Sequence, residues 1–361
     1  MHAHPDDETL STGALIASFA AAGMPVTVVT CTRGERGEVL ALPGTASEGL
    51  EALEGDGPAL AAYRTRELAA ALPALGGGDP TAVGHTFLDE LPPEPSALSG
   101  PGSGGAPADP DRSAGGGRFE DSGMVWVAPG VAGGDPAVRA GFAFVPLDDA
   151  AARLAALIRR LRPSVVATYE AGGGYGHPDH VRAHEVTVRA LELAADPAFR
   201  GGDAGPWAAE LWQRVAPASE LRAQRQALAA DPAAQALAEA AGLTFPASDD
   251  PLPALARDDA ELAAAAVAGD VVDVDVPPVL DRVLSAMTAH ATQIQHPTAL
   301  ATTVAGAGSR PSSGAAAALA EAGVVGWFAL SNGVLAAVGT RETFLVARPG
   351  TVQVSSVGSP A

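Results

Sequence analysis

The first half of the chain alternates between short apolar segments and longer segments in which small and apolar residues recur at helical spacing. Residues 25–32 (PVTVVTCT) and 164–169 (SVVATY) are rich in β-branched residues and apolar on both faces, as buried strands are, and residues 81–88 form a further candidate strand. The helical segments are residues 10–22, 63–72, 148–160 and 178–195. Strands that alternate with helices predict an α/β fold with a parallel, doubly wound sheet.

Several residues at the ends of these helices favour helix termination or initiation. Gly23 follows the first helix, at the position where a left-handed residue commonly ends a helix, and Pro73 is expected to end the second. Asp148 and Asp149 begin the third helix, where acidic side chains stabilise the positive end of the helix dipole. These residues define the predicted helix bounds.

The second half has a weaker pattern. Residues 271–276 (VVDVDV) alternate as an exposed strand does, and residues 278–293 predict a helix. Residues 326–330 and 343–348 are candidates for closing strands. We therefore predict that the second half contributes further strands and helices of its own.

Three irregular stretches separate these elements. Residues 92–117 are dense in proline, glycine and serine and predict a mobile loop, whereas residues 245–259 predict a Pro/Asp-rich insertion. Residues 355–361 predict a frayed tail. We divide the chain into an α/β core, residues 1–205, and a smaller C-terminal α/β part, residues 206–361.

Composition and charge narrow the class of partner. The 361 residues include 22 basic and 42 acidic side chains, so the formal net charge is −20. Such a surface repels phosphate backbones and anionic headgroups, which disfavours binding to nucleic acid or to a membrane surface. The single cysteine, Cys31, excludes an intramolecular disulfide and a zinc finger. Because no apolar run reaches the ~20 residues of a membrane span and the first residues do not resemble a secretory signal, we expect a cytoplasmic protein.

Residues 2–8 (HAHPDDE) combine two histidines with three acidic residues. Imidazole and carboxylate are the ligand types that zinc and similar divalent cations use in proteins. The segment directly precedes the first predicted helix, so we expect it at the sheet edge where open α/β folds bind ligands. Taken alone, the segment is equally consistent with an acidic helix cap that contains incidental histidines.

A second histidine-rich turn, residues 172–180 (GGGYGHPDH), follows the strand at 164–169. His177 and His180 are three residues apart, so both can face one site from the start of a helix. Two such turns at one sheet edge would supply three protein ligands and an open coordination position, which zinc catalysis requires. The joint pattern disfavours two unrelated helix caps.

Together the two turns resemble the LmbE-like, or PIG-L, family of metal-dependent N-deacetylases. Further similar patches are residues 30–39, 63–64, 121–124, 289–293 and 329–332, so the resemblance covers nearly the whole chain. The last three patches are similar to the branch of the family that acts in mycothiol biosynthesis. The resemblance implies a Rossmann-like fold and zinc-dependent removal of the acetyl group from N-acetylglucosaminyl-inositol, with residues 206–361 completing the substrate site.

The resemblance also implies a metal centre. The ligands would be His4, Asp7 and His180, with one zinc ion per subunit and ferrous iron as the alternative, since both metals suit these ligand types. Asp6 would be the general base. A neutral amide is a poor electrophile, so the reaction needs a base that deprotonates the attacking water. Asp6 can act as this base only if its side chain points away from the two ligands.

The remaining roles follow from the same resemblance. His177 would steady or protonate the leaving amine, Asp179 would orient His177, and Tyr175 would help polarise the acetamide carbonyl. The residues that match positions lining the sugar and inositol site are Arg64, Glu38, Asp121 and Met124.

Other polar residues near the motifs have less defined roles. We interpret His184 as a residue that supports a ligand or the core, with a fourth metal ligand as the alternative. Glu8 is expected to cap the helix or to accept a hydrogen bond from a ligand histidine. We expect surface or packing positions for His85, His290 and His296.

The sequence departs from the family pattern at its first residue. Relatives have an apolar strand before the HAHPDD turn, whereas only Met1 precedes His2 here. We expect a start further upstream, with a strand of ~5–6 residues that completes the sheet and raises the melting temperature.

Three other functions stay open at the level of sequence, and one of them is the deacetylation of another amino sugar by an enzyme of the same family. An amidase that cleaves mycothiol S-conjugates would use the same metal-binding residues, and turnover of the two substrates distinguishes it. A non-catalytic Rossmann-like ligand binder is the more distant alternative, but it leaves the paired histidine turns unexplained, and no G-x-G-x-x-G turn follows the first strand. The expected partner is a small amino sugar, and the oligomeric state is left open.

Overall fold

The computed structural model describes residues 1–94, 118–128, 131–135, 138–202, 204–247, 249–300 and 314–349. Most of the predicted loop at 92–117 and the whole predicted tail at 355–361 lie outside these ranges. Within them, no helix combines the length and the apolar character needed to span a membrane.

The helices and strands of the described residues are as follows. The helices are α1 (Asp7–Ala21), α2 (Gly57–Leu75), α3 (Leu147–Leu161), α4 (Pro178–Ala195), α5 (Ala218–Ala229), α6 (Pro232–Ala241), α7 (Asp259–Ala268), α8 (Leu280–Ala289) and α9 (Gly314–Glu321). The strands are β1 (Val26–Thr30), β2 (Val83–Phe87), β3 (Val125–Ala128), β4 (Val131–Gly133), β5 (Val165–Tyr169), β6 (Glu210–Pro217), β7 (Ala256–Arg257), β8 (Val271–Asp275), β9 (Ile294–Ala299), β10 (Val324–Leu330), β11 (Leu335–Gly339) and β12 (Arg341–Ala347).

The parallel strands that position the two histidine turns are β1 and β5. β1 pairs with β2, and β5 pairs with β6, both in parallel. The first residues of the chain lie between β1 and β5. The backbone N–H of His2 donates to the carbonyl of Val29 at 2.9 Å, and the amino group of Met1 donates to the carbonyl of Ala167 at 2.8 Å. The segments that follow residue 3 and β5 therefore emerge at the same edge.

Apolar side chains cover both faces of β1. Val28 packs into a core with α1, α2 and α8, whereas its neighbour Val29 packs into a second core with α3 and α4. Successive side chains of a strand point to opposite faces, so a strand in the middle of an α/β fold must be apolar throughout. The β-branched and nearly all apolar segment at 25–32 predicted this arrangement, and the predicted α/β class is confirmed.

The sheet that contains β5 is mixed and not, as we predicted, wholly parallel. Its order is β5-β6-β12-β8, and β12 runs antiparallel to both β6 and β8. Residues 206–361 also form a separate antiparallel sheet in the order β11-β10-β9. Because β6, β8 and β12 extend the sheet that contains β5, one sheet holds strands from both predicted parts, and the division after residue 205 stays a prediction.

The second predicted helix is longer than residues 63–72. α2 begins at Gly57, where the carboxylate of Asp56 accepts the N–H of Ala59 at 3.1 Å, and it continues through Pro73 to Leu75. The prediction that Pro73 ends the helix is therefore wrong. A proline in the last turn removes one N–H donor, and the carbonyl that loses this donor belongs to Ala69, an exposed residue that water can reach.

The helix predicted over residues 278–293 is shorter in the structure. α8 ends at Ala289, and residues 290–293 form a turn that leads into β9. β9 was not predicted because it contains Pro297, and proline is rare within sheets. The turn matters for the site, because it brings His290 to the first histidine motif.

Candidate active site

The two histidine turns meet at the carboxyl edge of β1 and β5. Asp6 precedes α1 with a φ of 116°, so that Asp7 is the first residue of the helix. His177 precedes α4, and its Nδ1 accepts the backbone N–H of Asp179 at 3.1 Å. Each turn therefore presents its polar side chains from the start of a helix.

Three ligand-type atoms form a nearly equilateral triangle between the turns. Nδ1 of His4 lies 3.4 Å from Oδ2 of Asp7, and Nε2 of His180 lies 3.3 Å from each of them. A tetrahedral zinc ion with bonds of ~2.0–2.1 Å requires its ligand atoms to be about 3.3 Å apart. The separations and the chemistry of these donors thus fit a zinc-sized cation.

The opposite side of the His4 ring contacts two buried carboxylates. Nε2 of His4 lies 3.3 Å from Oδ2 of Asp179 and 3.7 Å from Oδ1 of Asp121. Metal-binding histidines commonly direct their second nitrogen at a carboxylate, which orients the ring. Asp179 thus contacts His4 through its carboxylate and His177 only through its backbone N–H, so the carboxylate does not orient His177 as we predicted.

The cluster of imidazoles and carboxylates around His4 contains more residues than the triangle. The ligand atoms of His4, His177 and His180 all lie within 4.8 Å of one another, and so do those of His4, Asp121 and Asp179. Burial lowers the pKa of His4, but Asp121, Asp179 and Asp7 outweigh it and raise that pKa well above its ordinary value. Burial likewise opposes ionisation of Asp7, yet His180 and His4 hold its pKa well below the usual range.

The carboxylate of Asp6 forms a salt bridge with Arg64. Oδ1 of Asp6 accepts a hydrogen bond from Nη2 of Arg64 at 3.0 Å. Burial raises the pKa of Asp6 to about 7, and the guanidinium of Arg64 opposes that rise. Asp6 is thus paired with Arg64 and has a pKa near neutrality, which suits a general base.

Arg64 itself is enclosed by the backbone. Its guanidinium donates to the carbonyls of Gly34 at 3.0 Å and Pro5 at 2.6 Å, in addition to Asp6. A Cβ at Gly34 would overlap the guanidinium, so the close approach requires glycine there. Arg64, which we expected to line the sugar site, is thus placed to orient Asp6.

Aromatic rings cover the triangle. The ring of His177 lies 4.6 Å from that of His4, and the ring of Tyr175 lies 4.9 Å from that of His180. Burial, followed by His4 and His180, lowers the pKa of His177 well below its ordinary value. Because Nδ1 of His177 accepts a backbone N–H, the proton of the neutral ring lies on Nε2.

Two residues that our sequence analysis did not assign to the site support it. Tyr169 stacks on His180 with ring centroids 4.2 Å apart, and its hydroxyl accepts the backbone N–H of Ala3 at 2.9 Å. His290 is fully buried and contacts Glu8, so it occupies the packing position, and not the surface position, of the two that we expected. His184 contacts the carbonyl of Tyr169 at 2.9 Å rather than the ligand atoms. Only the position of Tyr169, directly before the glycine-rich turn, signalled its role.

A cavity of about 610 Å³ lies beside the site, and Glu38 and Met124 are among its lining residues. Asp121 fastens one wall, because its carboxylate accepts the backbone N–H of Gly123 at 2.7 Å and that of Arg36 at 3.3 Å. Within the described residues, Oε2 of Glu38 is buried without a hydrogen-bond partner. An unpaired buried carboxylate oxygen is a hydrogen-bond acceptor that the described residues leave unsatisfied.

A buried group of imidazoles and carboxylates at the carboxyl edge of parallel strands is typical of metal-dependent hydrolases. The family described as "PIG-L: GlcNAc-PI de-N-acetylase" matches residues 1–191, slightly more than half of the 361 residues. The chain belongs to this family and is a hydrolytic N-deacetylase. The resemblance expected from the two histidine turns is confirmed.

Curated relatives extend the match beyond the family region. A protein of Kineococcus radiotolerans is 40% identical over 297 residues, which cover 81% of this chain and 68% of that protein. A protein of Geodermatophilus obscurus is 39% identical over 299 residues, 81% of each chain. A protein of Rhodococcus erythropolis is 36% identical over 351 residues, 96% of this chain and 89% of that one. All three are named 1D-myo-inositol 2-acetamido-2-deoxy-alpha-D-glucopyranoside deacetylase.

Proposed function

We propose that this N-deacetylase hydrolyses the acetamide of 1D-myo-inositol 2-acetamido-2-deoxy-alpha-D-glucopyranoside to the free amine and acetate. The observation that carries the proposal is the triangle of His4, Asp7 and His180 beside Asp6. The names of relatives that match up to 96% of the chain support the substrate. The reaction is the deacetylation step of mycothiol biosynthesis, and we therefore also propose a cytoplasmic location.

His4 Nδ1, Asp7 Oδ2 and His180 Nε2 would hold one zinc ion. Their mutual separations of 3.3 to 3.4 Å suit its tetrahedral radius, and Asp179 would orient His4 from behind. A zinc ion there would supply Lewis-acid polarisation of the acetamide carbonyl and would acidify a water molecule. Ferrous iron would suit the same donors, so the metal in the cell is part of the proposal.

Asp6 is the general base in this scheme. Its pKa of about 7 leaves a large fraction ionised at neutral pH, and Arg64 fixes the orientation of its carboxylate. The ionised Asp6 would take a proton from the attacking water and later return it to the leaving amine. Asp6 directly precedes the proposed ligand Asp7 in the chain, which would keep the base near the metal site.

His177 and Tyr175 would stabilise the negative charge that develops on the acetamide oxygen. The neutral His177 ring carries its proton on Nε2, so it can donate a hydrogen bond to the oxyanion that develops on the acetamide. Burial raises the pKa of Tyr175 well above its usual value, which keeps its hydroxyl a donor. Both groups would therefore stabilise the transition state rather than exchange protons with it.

The cavity would hold the sugar and the inositol. Glu38 offers the unpaired buried oxygen for a hydroxyl, and Met124 offers an apolar surface for ring carbons. Carboxylates are common in the wall and include Glu35, Glu54, Glu120 and Asp135. Such a wall favours a neutral polyol over a phosphorylated one, because like charges repel.

The test compares two substrates on the purified, zinc-loaded protein. Release of free amine from the N-acetylglucosaminyl-inositol should have a higher kcat/KM than cleavage of a mycothiol S-conjugate. The Asp6→Asn variant serves as the matched control for contaminating activity. Faster cleavage of the S-conjugate would replace the proposed substrate with that of the sister amidase, and no turnover of either would point to another amino-sugar substrate.

A further inference from the structure

The turn that carries Tyr175 and His177 is held from inside by Glu170. The carboxylate of Glu170 accepts the backbone N–H of Gly172 at 2.5 Å and that of Gly174 at 2.8 Å. Its side chain is only 3% exposed, so the charge is removed from water. The turn closes around a buried carboxylate, and a buried carboxylate is stabilised by a hydrogen-bonded partner of opposite charge.

The partner comes from the Pro/Asp-rich insertion. Nη2 of Arg257 donates to Oε2 of Glu170 at 2.9 Å, and Nη1 donates to the carbonyls of Ala254 and Ala256 at 2.5 and 3.1 Å. The same segment contacts the turn a second time, because the backbone N–H of Leu255 donates to the carbonyl of Gly174 at 2.8 Å. The insertion therefore docks on the turn through both a charge pair and a backbone hydrogen bond.

The turn needs such external support for a conformational reason. Three of its residues, Gly173, Gly174 and Gly176, have φ values of 70°, 73° and 98°. Glycine reaches this region without strain but is equally free to leave it, so a glycine-rich turn has many alternative conformations. Contacts from outside the turn are what select one of them.

We propose that Arg257 is a positioning residue of the deacetylase: through Glu170 it fixes the turn that places Tyr175 and His177 against the reacting acetamide. The inference rests on the proposed function, since it assigns Arg257 to the same reaction. It gives the insertion at residues 245–259 a role in catalysis, although Arg257 itself reaches the site only through Glu170.

The first experiment separates kcat from KM. Arg257→Gln should lower kcat by about 10- to 100-fold, the range expected when catalytic groups are displaced by ~1 Å, and should change KM little because the cavity wall is untouched. Arg257→Lys, which keeps the charge but not the planar fork, should recover part of the loss. Arg225→Gln is the matched control: Arg225 donates to the carbonyls of Asp250 and Pro251 in the same insertion. It should retain the wild-type kcat.

A second variant reaches the same contact from the other side. A Cβ at Gly172 would lie 2.6 Å from Cβ of Ala254, and the backbone of Gly172 lies outside the left-handed region. The same Cβ would lie 3.1 and 3.2 Å from the carboxylate oxygens of Glu170, so Gly172→Ala should push the insertion off the turn and also crowd Glu170. It should reproduce the kcat loss of Arg257→Gln.

Amide hydrogen exchange gives a readout that does not depend on turnover. Residues 171–176 should exchange faster in Arg257→Gln and Gly172→Ala than in the wild type or in Arg225→Gln, with the metal content equal in all four. Unchanged exchange, or an equal kcat loss in Arg225→Gln, would overturn the assignment. A wild-type protein that turns over neither substrate would refute the proposed function, while the exchange result would still report on the contact.

Discussion

The carboxylate of Glu8 accepts a hydrogen bond from Nε2 of His290 at 2.7 Å, although the two residues are 282 positions apart. Both side chains are fully buried. Burial disfavours charge on both groups, yet His290 holds the pKa of Glu8 at about 2, and Glu8 raises the pKa of His290. Since the other carboxylate oxygen accepts the backbone N–H of Asp6 at 3.0 Å, this pair ties the first histidine turn to the end of α8.

Replacing His290 should therefore destabilise the whole fold. His290→Ala leaves the buried carboxylate of Glu8 without its charged partner, and we expect the free energy of unfolding to fall by about 3–5 kcal/mol. Urea denaturation at pH 7, followed by circular dichroism, measures the change. His85→Ala is the control, because His85 is only partly buried and makes one hydrogen bond to Thr30 at 3.1 Å. Equal losses in the two variants would contradict the special position of the Glu8–His290 pair.

Removal of one corner of the ligand triangle should release the metal. His180→Ala deletes Nε2, which lies 3.3 Å from both other ligand atoms, so zinc content after dialysis should fall from about one equivalent to near zero. His184→Ala, one helical turn later, deletes a ring that contacts the carbonyl of Tyr169 instead. Its zinc content, measured by mass spectrometry of the digested protein, should stay close to that of the wild type. Loss of zinc from both variants to the same extent would argue against the proposed ligand set.

Asp6 should be dispensable for metal binding but not for turnover. Asp6→Asn keeps the shape of the side chain and one acceptor for Arg64, while it removes the proposed base. We expect about a 10²- to 10⁴-fold loss of kcat, the range typical of general-base catalysis, with unchanged zinc content. Near wild-type turnover would show that another group takes the proton.

The two histidine turns could be predicted because their information is local. The motif at residues 2–8 and the turn ending at His180 each contain their own ligands, and the flanking apolar strands fix the edge at which they lie. The same holds for β1, β5, α3 and α4, whose observed bounds lie close to those predicted.

The features that could not be predicted from the sequence depend on contacts between residues that are distant in the chain. β6 contains the polar residues Glu210, Gln213 and Arg214 and does not look like a central strand, yet it lies between β5 and β12. His290 gains its role only when α8 ends at Ala289 and the following turn reaches Glu8. Likewise, Arg257 is an ordinary charged residue of an irregular insertion until the fold sets it on Glu170. No periodicity or spacing reports such pairings.

A buried carboxylate outside the active site stabilises an interruption in α1. Thr12 departs from helical geometry with a φ of −141°, and Glu342 of β12 accepts the N–H groups of Ala14 at 2.7 Å and Leu15 at 2.9 Å. Burial raises the pKa of Glu342 from 4.5 to about 7, opposed by Arg214 and by these two N–H groups. The folded protein therefore binds this proton more tightly than the unfolded chain.

The sign of the resulting pH dependence is opposite to that of a salt-bridged acid. Between pH 4.5 and about 7 the folded state holds more protons, so stability falls as pH rises through this window and levels off above it. A difference of ~2.5 pKa units corresponds to at most about 3 kcal/mol. Glu342→Gln stays neutral at every pH and retains one acceptor oxygen. It should match the wild type at pH 5 and be more stable than the wild type at pH 8.

Chemical denaturation at both pH values, with a chelator present so that metal release does not contribute, checks this expectation. Glu342→Ala is the companion variant. It loses both hydrogen bonds and should be less stable than Glu342→Gln at pH 5 as well as at pH 8, because the N–H groups of Ala14 and Leu15 are then buried without a partner. A stability difference between the wild type and Glu342→Gln that is the same at both pH values would show that Glu342 does not titrate in this window. The carboxylate would then act as an ionised cap throughout, held by Arg214 and the two backbone donors.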